Sequence, residues 1–111
     1  MKQRCWIYCG VEPYSPLSVM ADKRDQLRKH AARKDYEIVS FTSEVIHTTF
    51  VECNGALEVL DAITNRKMDV LLMEKGILDH QDVTIQALFE YAQDHGVRIE
   101  EIRIRERNKR K

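Results

Sequence analysis

Residues 69–73, DVLLM, form a nearly continuous apolar run. Such runs are typical of parallel sheets, because helices cover both faces of the sheet and leave no face for polar side chains. The run therefore predicts a central, buried strand in a parallel sheet. A sheet of this kind belongs to an α/β fold, so the segments before and after the run should contain helices.

Helical periodicity occurs on both sides of this run. Apolar residues recur at helical spacing over residues 56–66, after Asn54 and Gly55, and again over residues 83–95. Gly96 is suited to end the second helix, because glycine tolerates the left-handed turn that often follows a helix. The residues expected on the core faces of these two helices are Leu57, Leu60, Ile63, Ile85, Leu88, Phe89 and Ala92.

A strand and a third helix are predicted near the N-terminus. Residues 5–8 form a short apolar strand that could reach Val11, and Gly10 and Pro13 end it. Ser15 and Pro16 then form a typical helix entry, with serine as the N-cap and proline as the first helical residue. The helix should end near residues 34–35. We expect its core face to carry Leu17, Met20, Ala21, Leu27 and Ala31, and its solvent face to carry Lys23, Asp25, Lys29 and Arg33.

Two further strands complete the pattern. Residues 36–41, YEIVSF, are rich in β-branched and aromatic residues, and residues 97–104, VRIEEIRI, alternate as an edge strand with one wet face does. A long loop is predicted over residues 42–54, and loops of that length are usually functional or mobile. The order β-α-β-α-β-α-β predicts one α/β domain, a three-layer sandwich with a mostly parallel sheet of four or five strands and the first strand central.

Composition excludes several function classes. The 111 residues suffice for one domain, and 18 Lys and Arg residues balance 18 Asp and Glu residues, so no overall field directs the chain to nucleic acid or membrane. No apolar stretch approaches the roughly 20 residues of a membrane span, and the N-terminus does not resemble a signal peptide. The three cysteines fit no zinc or redox spacing, so we expect reduced thiols and a cytoplasmic location.

Motifs for cofactors and metals are missing from the sequence. No glycine-rich dinucleotide or phosphate-binding motif occurs, and the spacings of the four histidines match no metal-ligand pattern. We therefore expect neither a cofactor nor a metal. Cys9 ends the first strand, where some phosphatases carry their nucleophile. Because Glu12 and Pro13 stand in place of a phosphate-binding loop, a structural thiol is the simpler interpretation.

The charge is balanced overall but not along the chain. Residues 103–111 carry six basic residues and one acid, Glu106. We divide the chain into a domain over residues 1–104 and a basic C-terminal tail over residues 105–111. Such residues can contact DNA phosphates without reading sequence, and the alternative is a frayed, solubilising terminus. The candidate DNA-binding residues are Arg103, Arg105, Arg107, Lys109, Arg110 and Lys111.

Five segments in order carry a resemblance to a known family. They are YCGVE at residues 8–12, QLRKHAARKDYEIV at 26–39, GALEVLDAI at 55–63, DVLLMEK at 69–75 and YAQDHGVRIEEI at 91–102. Their order, lengths and apolar patterns resemble the catalytic domain of serine site-specific recombinases, the resolvase/invertase family, over residues 4–104. The resemblance implies a resolvase-like fold and a role in DNA recombination.

The first catalytic motif of that family is altered in this chain. Members attack a DNA phosphate with a serine held by several arginines, because guanidinium groups neutralise the charge of the transition state. In the family's motif Y-x-R-V-S, Gly10 stands at the arginine and Glu12 stands at the serine. A carboxylate at Glu12 would repel the incoming phosphodiester.

The other two family motifs are altered as well. Asn54 stands at the arginine of R-P-x-L. The motif D-R-L-x-R needs two arginines within residues 75–82, and none occurs there. Asp79 lies near the expected acid, and His80 or Gln81 lies near the last arginine. The resemblance therefore implies a family fold with degenerate catalytic positions.

These observations favour a non-catalytic protein. We expect an accessory or regulatory protein linked to DNA recombination or mobile elements, without catalytic residues. Two alternatives stay open: an active recombinase with substitute residues, and a flavodoxin-like module that binds a small molecule in the crevice near residues 10–14. We also expect a homodimer, through the aliphatic residues of the last strand or through the helix before it.

Overall fold

The computed structural model of this chain describes residues 2–105. Strands and helices alternate in the order expected from the sequence. The described elements are β1 Arg4–Val11, α1 Leu17–Arg33, β2 Glu37–Val45, α2 Asn54–Thr64, β3 Val70–Glu74, a 3₁₀ turn Ile77–Asp79, α3 Val83–Asp94 and β4 Arg98–Ile102.

The four strands form one parallel sheet in the order β2-β1-β3-β4. The prediction of a parallel α/β fold with the first strand in a central position is thereby confirmed. The chain passes from β1 outward to β2 and then crosses back to β3 on the other side of β1. This reversal leaves a crevice outside the carboxyl ends of β1 and β3, where ligands bind in open α/β sheets.

Each face of the sheet has its own core, because successive side chains of a strand point to opposite faces. From β1, Cys5, Ile7 and Cys9 pack against α1 on one face. Trp6 and Tyr8 point the other way and pack with α2 and α3. All five side chains are buried, so β1 is covered on both faces, as its central position requires.

The core faces of the helices differ from the predicted ones at several positions. Leu17, Leu57 and Phe89 are 88%, 58% and 46% exposed, and Ala21 is exposed too, so their assignment to the core was wrong. Small residues explain the difference in α2, because they let the helix lie close to the sheet. The buried residues of α2 are Gly55, Ala56, Val59, Ala62 and Ile63.

Strand β2 is longer than predicted and reaches Val45. It extends because β1 runs on to Val11 and pairs with β2 up to its last residue. The prediction of a loop from residue 42 was therefore wrong in its first part. The remainder forms a tight hairpin, in which an antiparallel bridge joins Ile46 to Val51.

The predicted C-terminal ends of α1 and α3 agree with the structure, but the predicted start of α1 does not. Pro16 occupies the N-cap position of α1 and no side chain among residues 2–105 caps this helix, so the assignment of Ser15 as the N-cap was wrong. The Ser15 amide instead donates to the Glu12 carbonyl in the preceding turn, at 3.2 Å. At the end of α3, Gly96 has the expected left-handed φ, 72°.

Strand β4 is an edge strand beside β3, as predicted. Its aliphatic side chains are largely used inside the domain, because Ile99 packs against one core and Ile102 and Ile104 pack against the other. A dimer through this strand stays a prediction. The strand has fewer aliphatic side chains available for such a contact than its alternating sequence suggests. Across residues 2–105, no helix is long and apolar enough to cross a membrane.

Candidate functional site

A cleft lies at the carboxyl ends of β1 and β3, where the strand order predicts one. Its volume is about 240 Å³. The turn after β1, helix α1, the hairpin after β2 and the segment after β3 all contribute to its walls. The lining residues are Gly10, Val11, Glu12, Lys23, Ile46, Glu74, Lys75, Gly76, Ile77 and His80.

An ion pair between Lys23 and Glu74 forms one wall of the cleft. The Lys23 ammonium lies 3.1 Å from the Glu74 carboxylate and donates to the Gly10 carbonyl at 2.6 Å. Glu74 Oε1 also accepts the backbone N–H of Gly10 at 3.1 Å. The two side chains are only 18% and 20% exposed. The pair therefore joins α1 and β3 to the end of β1, and the two charges neutralise each other inside the cleft.

The predicted placement of Lys23 on the solvent face of α1 was wrong. Lys23 lies three residues after Met20 and four before Leu27, on the side of the helix that faces the core. A lysine can bury its methylene chain in such a position when its ammonium reaches a polar partner. Glu74 supplies that partner at the end of β3. The sequence signals were a lysine on an apolar helix stripe and a carboxylate directly after a buried strand.

A side chain at Gly10 would displace the end of the Ile46 side chain in this arrangement. A Cβ atom at residue 10 would lie 2.3 Å from Cδ1 of Ile46 and 3.8 Å from Oε1 of Glu74. Ile46 comes from the hairpin after β2, so the hairpin covers the end of β1. Any longer side chain at residue 10 would require Ile46 to leave its position.

Comparison with solved structures identifies the architecture. The chain resembles the crystal structure of the C-terminal catalytic domain of ISC1926 TnpA, an IS607-like serine recombinase, with a TM-score of 0.73 at 22% sequence identity. The match covers 90% of this chain and 70% of that chain. The chain has a serine recombinase fold. No protein-family model and no curated protein matches the sequence.

The serine recombinase fold brings three of the five candidate positions together. Gly10, Glu12 and His80 line the cleft, with Glu12 exposed and His80 half-buried after the 3₁₀ turn. Asp79 is exposed and lines a separate groove beside α3. Asn54 is the exposed first residue of α2 and is not part of the cleft lining.

The start of α2 packs tightly against the end of β2. A Cβ atom at Gly55 would lie 2.6 Å from the carbonyl oxygen of Ser43. The buried carboxylate of Glu44 accepts the backbone N–H of Ala56 at 2.8 Å and the hydroxyl of Tyr8 at 2.7 Å. Glu44 therefore connects the end of β2 to the first turn of α2 and to β1.

Cys9 and Cys53 of this chain are poor nucleophiles. Burial raises the pKa of Cys9 to about 12, and the nearby charge of Glu74 adds to this effect. Burial also raises the pKa of Cys53 to about 11, together with its hydrogen bond to Asp82. Both thiols are protonated at neutral pH. In the part of the chain that the structure describes, no cluster of three or more His, Cys, Asp and Glu residues could hold a metal ion.

Two of the six candidate DNA-binding residues lie within the described residues. Arg103 and Arg105 follow β4 and are exposed. The Arg105 backbone is held against α1, since its carbonyl accepts from Gln26 Nε2 at 2.6 Å and its N–H donates to Gln26 Oε1 at 2.9 Å. The other four, Arg107, Lys109, Arg110 and Lys111, lie outside the described residues, as does most of the predicted tail.

The cleft combines charges of both signs. Glu12 and Lys75 are exposed at its edge, the Lys23–Glu74 pair is internally balanced, and His80 contributes an imidazole. The ten lining residues include no serine, cysteine or arginine. The cleft is a small polar cavity.

Proposed function

We propose that this chain is a non-catalytic protein with a serine recombinase fold, acting as an accessory or regulatory factor in DNA recombination or in mobile elements. The observation that carries the proposal is the composition of the cleft, whose ten lining residues include no serine, cysteine or arginine. The family's motif has an arginine at the position of Gly10. Ile46 occupies the space next to Gly10 that such a side chain would enter.

The charge distribution in the cleft supports the same proposal. Phosphoryl transfer gathers negative charge at the phosphorus, and the family neutralises this charge with arginines. Lys23 is already paired with Glu74 at 3.1 Å. Glu12, at the position of the family's serine, adds a negative charge that repels a phosphodiester. The cleft therefore disfavours the chemistry that the fold performs in active recombinases.

We assign the DNA contact of this accessory protein to the basic residues after β4. Arg103 and Arg105 are exposed beside α1, and residues 106–111 continue the basic sequence. Contacts of this kind bind DNA phosphates without reading bases. A DNA-linked role and reduced thiols also agree with a cytoplasmic location.

Fluorescence anisotropy with a labelled duplex tests the DNA contact. We expect weak binding without sequence preference, whose affinity falls with salt at a slope of about −0.9 per phosphate neutralised. The variant Arg103→Glu/Arg105→Glu should lose most of this binding and show a flatter salt slope.

A matched control is Arg66→Glu/Lys67→Glu, which changes the charge equally at exposed residues after α2. The control should bind as the wild type does. If both variants bind like the wild type, the DNA surface lies elsewhere, and Lys29 and Arg33 of α1 are the next residues to change. No binding at low salt would contradict the DNA-linked role.

A second candidate function is binding of a small molecule in the cleft. The observation in its favour is the position of the cleft at the carboxyl ends of β1 and β3, the usual ligand site of such sheets. Thermal-shift measurements with nucleotides and small organic anions test it. A rise in melting temperature that is lost in Glu12→Gln or His80→Ala would favour this function over the DNA-linked one.

A further inference from the structure

The outer side of α3 carries a line of four side chains. Val83, Ala87, Glu90 and Asp94 follow at spacings of four, three and four residues, so they lie along one side of the helix. Val83 is 88% exposed, and Glu90 and Asp94 are exposed too. Val83, Ala87 and Glu90 also line a groove of about 560 Å³ beside the helix. The line begins with apolar side chains and ends with two carboxylates.

Helix α1 carries a line with the same spacing and the opposite charge. Leu17, Ala21, Arg24 and Arg28 again follow at four, three and four residues. Leu17 is 88% exposed, and the other three residues are exposed as well. The Arg24 guanidinium lies 4.5 Å from the centroid of the Phe41 ring, which limits the directions its side chain can take.

The two lines match position by position. Each has an exposed aliphatic residue first and an alanine second, and alanine lets two helices approach closely. The third and fourth positions are arginines in one line and carboxylates in the other. The matched pairs are Leu17 with Val83, Ala21 with Ala87, Arg24 with Glu90, and Arg28 with Asp94.

The charge of the whole helices supports this pairing. α1 carries five Lys and Arg residues against two acids, whereas α3 carries two acids and neither Lys nor Arg. Arg28 lies 3.9 Å from Asp25 of its own helix, a long contact at the surface. We propose that α3 of one molecule docks in parallel along α1 of a second copy of this chain.

The proposed contact is heterologous, because two different surfaces of the protein meet in it. α1 and α3 cover opposite faces of the sheet, so a molecule that docks through α3 leaves its own α1 open for a further copy. Such contacts extend into short chains of molecules rather than closing a two-fold dimer. The contact is small and charged, so it is weak and sensitive to salt. It does not rest on the DNA-linked role proposed above.

Sedimentation velocity on the purified protein tests the contact. We expect the weight-average mass to rise with protein concentration at about 50 mM salt and to fall towards the monomer at about 500 mM, because salt screens the charge pairs. The variants Arg24→Glu/Arg28→Glu and Glu90→Lys/Asp94→Lys should each remain monomeric at low salt, with circular dichroism confirming that each is folded.

Mixing the two charge-reversed variants gives the decisive result. The first has acidic lines on both helices and the second has basic lines on both, so each repels itself but complements the other. We expect the mixture to associate at low salt at concentrations where neither variant does alone. The control is the double variant Arg33→Glu/Lys67→Glu, whose two residues are exposed and lie outside both lines. It should associate as the wild type does.

Three results would overturn the proposal. One is a wild type that stays monomeric at several hundred micromolar in low salt. Another is a pair of reversed variants that associate separately as the wild type does, which would place self-association at another surface such as β4. The third is a mixture that associates no more than its separate components.

Discussion

Two glycines of this protein, Gly10 and Gly55, lie where a Cβ atom would collide with a neighbour, but the two neighbours differ in how easily they move. At Gly10 the neighbour is the terminal methyl group of Ile46, at 2.3 Å, which a side-chain rotation can displace. At Gly55 it is the backbone carbonyl oxygen of Ser43, at 2.6 Å. That oxygen belongs to β2 and cannot move without disturbing the sheet, so Gly55 is the stricter requirement.

We therefore predict that Gly55→Ala lowers the free energy of unfolding by about 1–3 kcal/mol, the range found for overpacked sites. The physical reason is that α2 must shift away from β2 to make room for the methyl group. Urea unfolding measures the change. Asn54→Ala, at the exposed neighbouring position, is the control and should change stability by less than half as much. Equal stabilities of Gly55→Ala and the wild type would contradict the close packing of α2 on β2.

Individual buried ionisable residues are the features that the sequence concealed most. Lys23 is paired with Glu74, which lies 51 residues further along the chain. Glu44 is bonded to Tyr8, 36 residues before it. A charged residue is normally assigned to the surface, and only a partner from a distant segment changes that assignment. Sequence periodicity places a residue on one side of its own element, but it does not reveal what lies opposite.

At the scale of elements, the Lys23–Glu74 pair holds the ends of β1 and β3 to α1. We predict that Lys23→Met destabilises the protein by about 3 kcal/mol, because it leaves Glu74 as an uncompensated charge in a mostly buried site. Chemical denaturation measures this loss.

A double-mutant cycle with Glu74→Gln separates the pair from other effects. Glutamine retains an acceptor for the Gly10 amide, so the coupling energy reports mainly on the charge interaction. Lys29→Met, on the exposed side of α1, should cost no more than about 0.5 kcal/mol. A coupling energy near zero would show that the pair does not join these elements.

A second polar cluster holds β4 to α1. Glu100 of β4 accepts from the Tyr36 hydroxyl at 2.6 Å, and its other oxygen lies 2.5 Å from His30 Nε2. Burial alone would raise the pKa of Glu100, but the hydrogen bonds of Tyr36 and His30 outweigh it and hold this pKa below the ordinary value of 4.5. A carboxyl group whose pKa is lowered by folding stabilises the folded state when the pH lies above its ordinary pKa. This contribution is lost as the pH falls through the pKa of the folded state.

We predict that Glu100→Gln is less stable than the wild type near neutral pH, and that the difference shrinks as the pH falls below about 4.5. The reason is that protonation of Glu100 removes the negative charge of its carboxylate in the wild type, and the substitution removes the same charge at every pH. Unfolding free energies measured across the acid range test this. Glu101→Gln, an exposed neighbour, should show no such convergence. A difference that stays constant through the acid range would contradict the lowered pKa.

The elements themselves were largely predictable, because each leaves a local pattern. The run DVLLM became β3, shifted by one residue, and the end of α3 shortly before Gly96 follows from glycine's tolerance of a positive φ. The extension of β2 over residues 42–45 was not predictable, because Thr42 and Glu44 are polar residues that become buried only through partners on other elements. The error at Leu57 has a related cause. Adjacent faces of α2 both carry apolar residues, so the sequence alone does not show which face packs against the sheet.

For the whole molecule, the order of elements carried more information than any single motif. The resemblance to serine recombinases rested on order, lengths and apolar pattern, and the likeness in fold at 22% identity agrees with it. Asn54 and Asp79 both stand at catalytic motifs of the family, but neither lines the cleft. The order of elements along the sequence therefore predicted the fold. Which residues line the cleft depends on how the hairpin and α1 are arranged, and that arrangement is visible only in the structure.

The central claim, that the recombinase fold here lacks DNA strand cleavage, is tested most directly by trapping covalent protein–DNA adducts. Purified protein is incubated with a supercoiled plasmid pool carrying varied inserts, quenched under denaturing conditions, and examined for DNA attached to protein. An active serine recombinase with its own site serves as the positive control. We predict no adduct for the wild type and none for Glu12→Ser, because the cleft lining offers no arginine to neutralise the transition state. A covalent adduct formed by the wild type would contradict the claim.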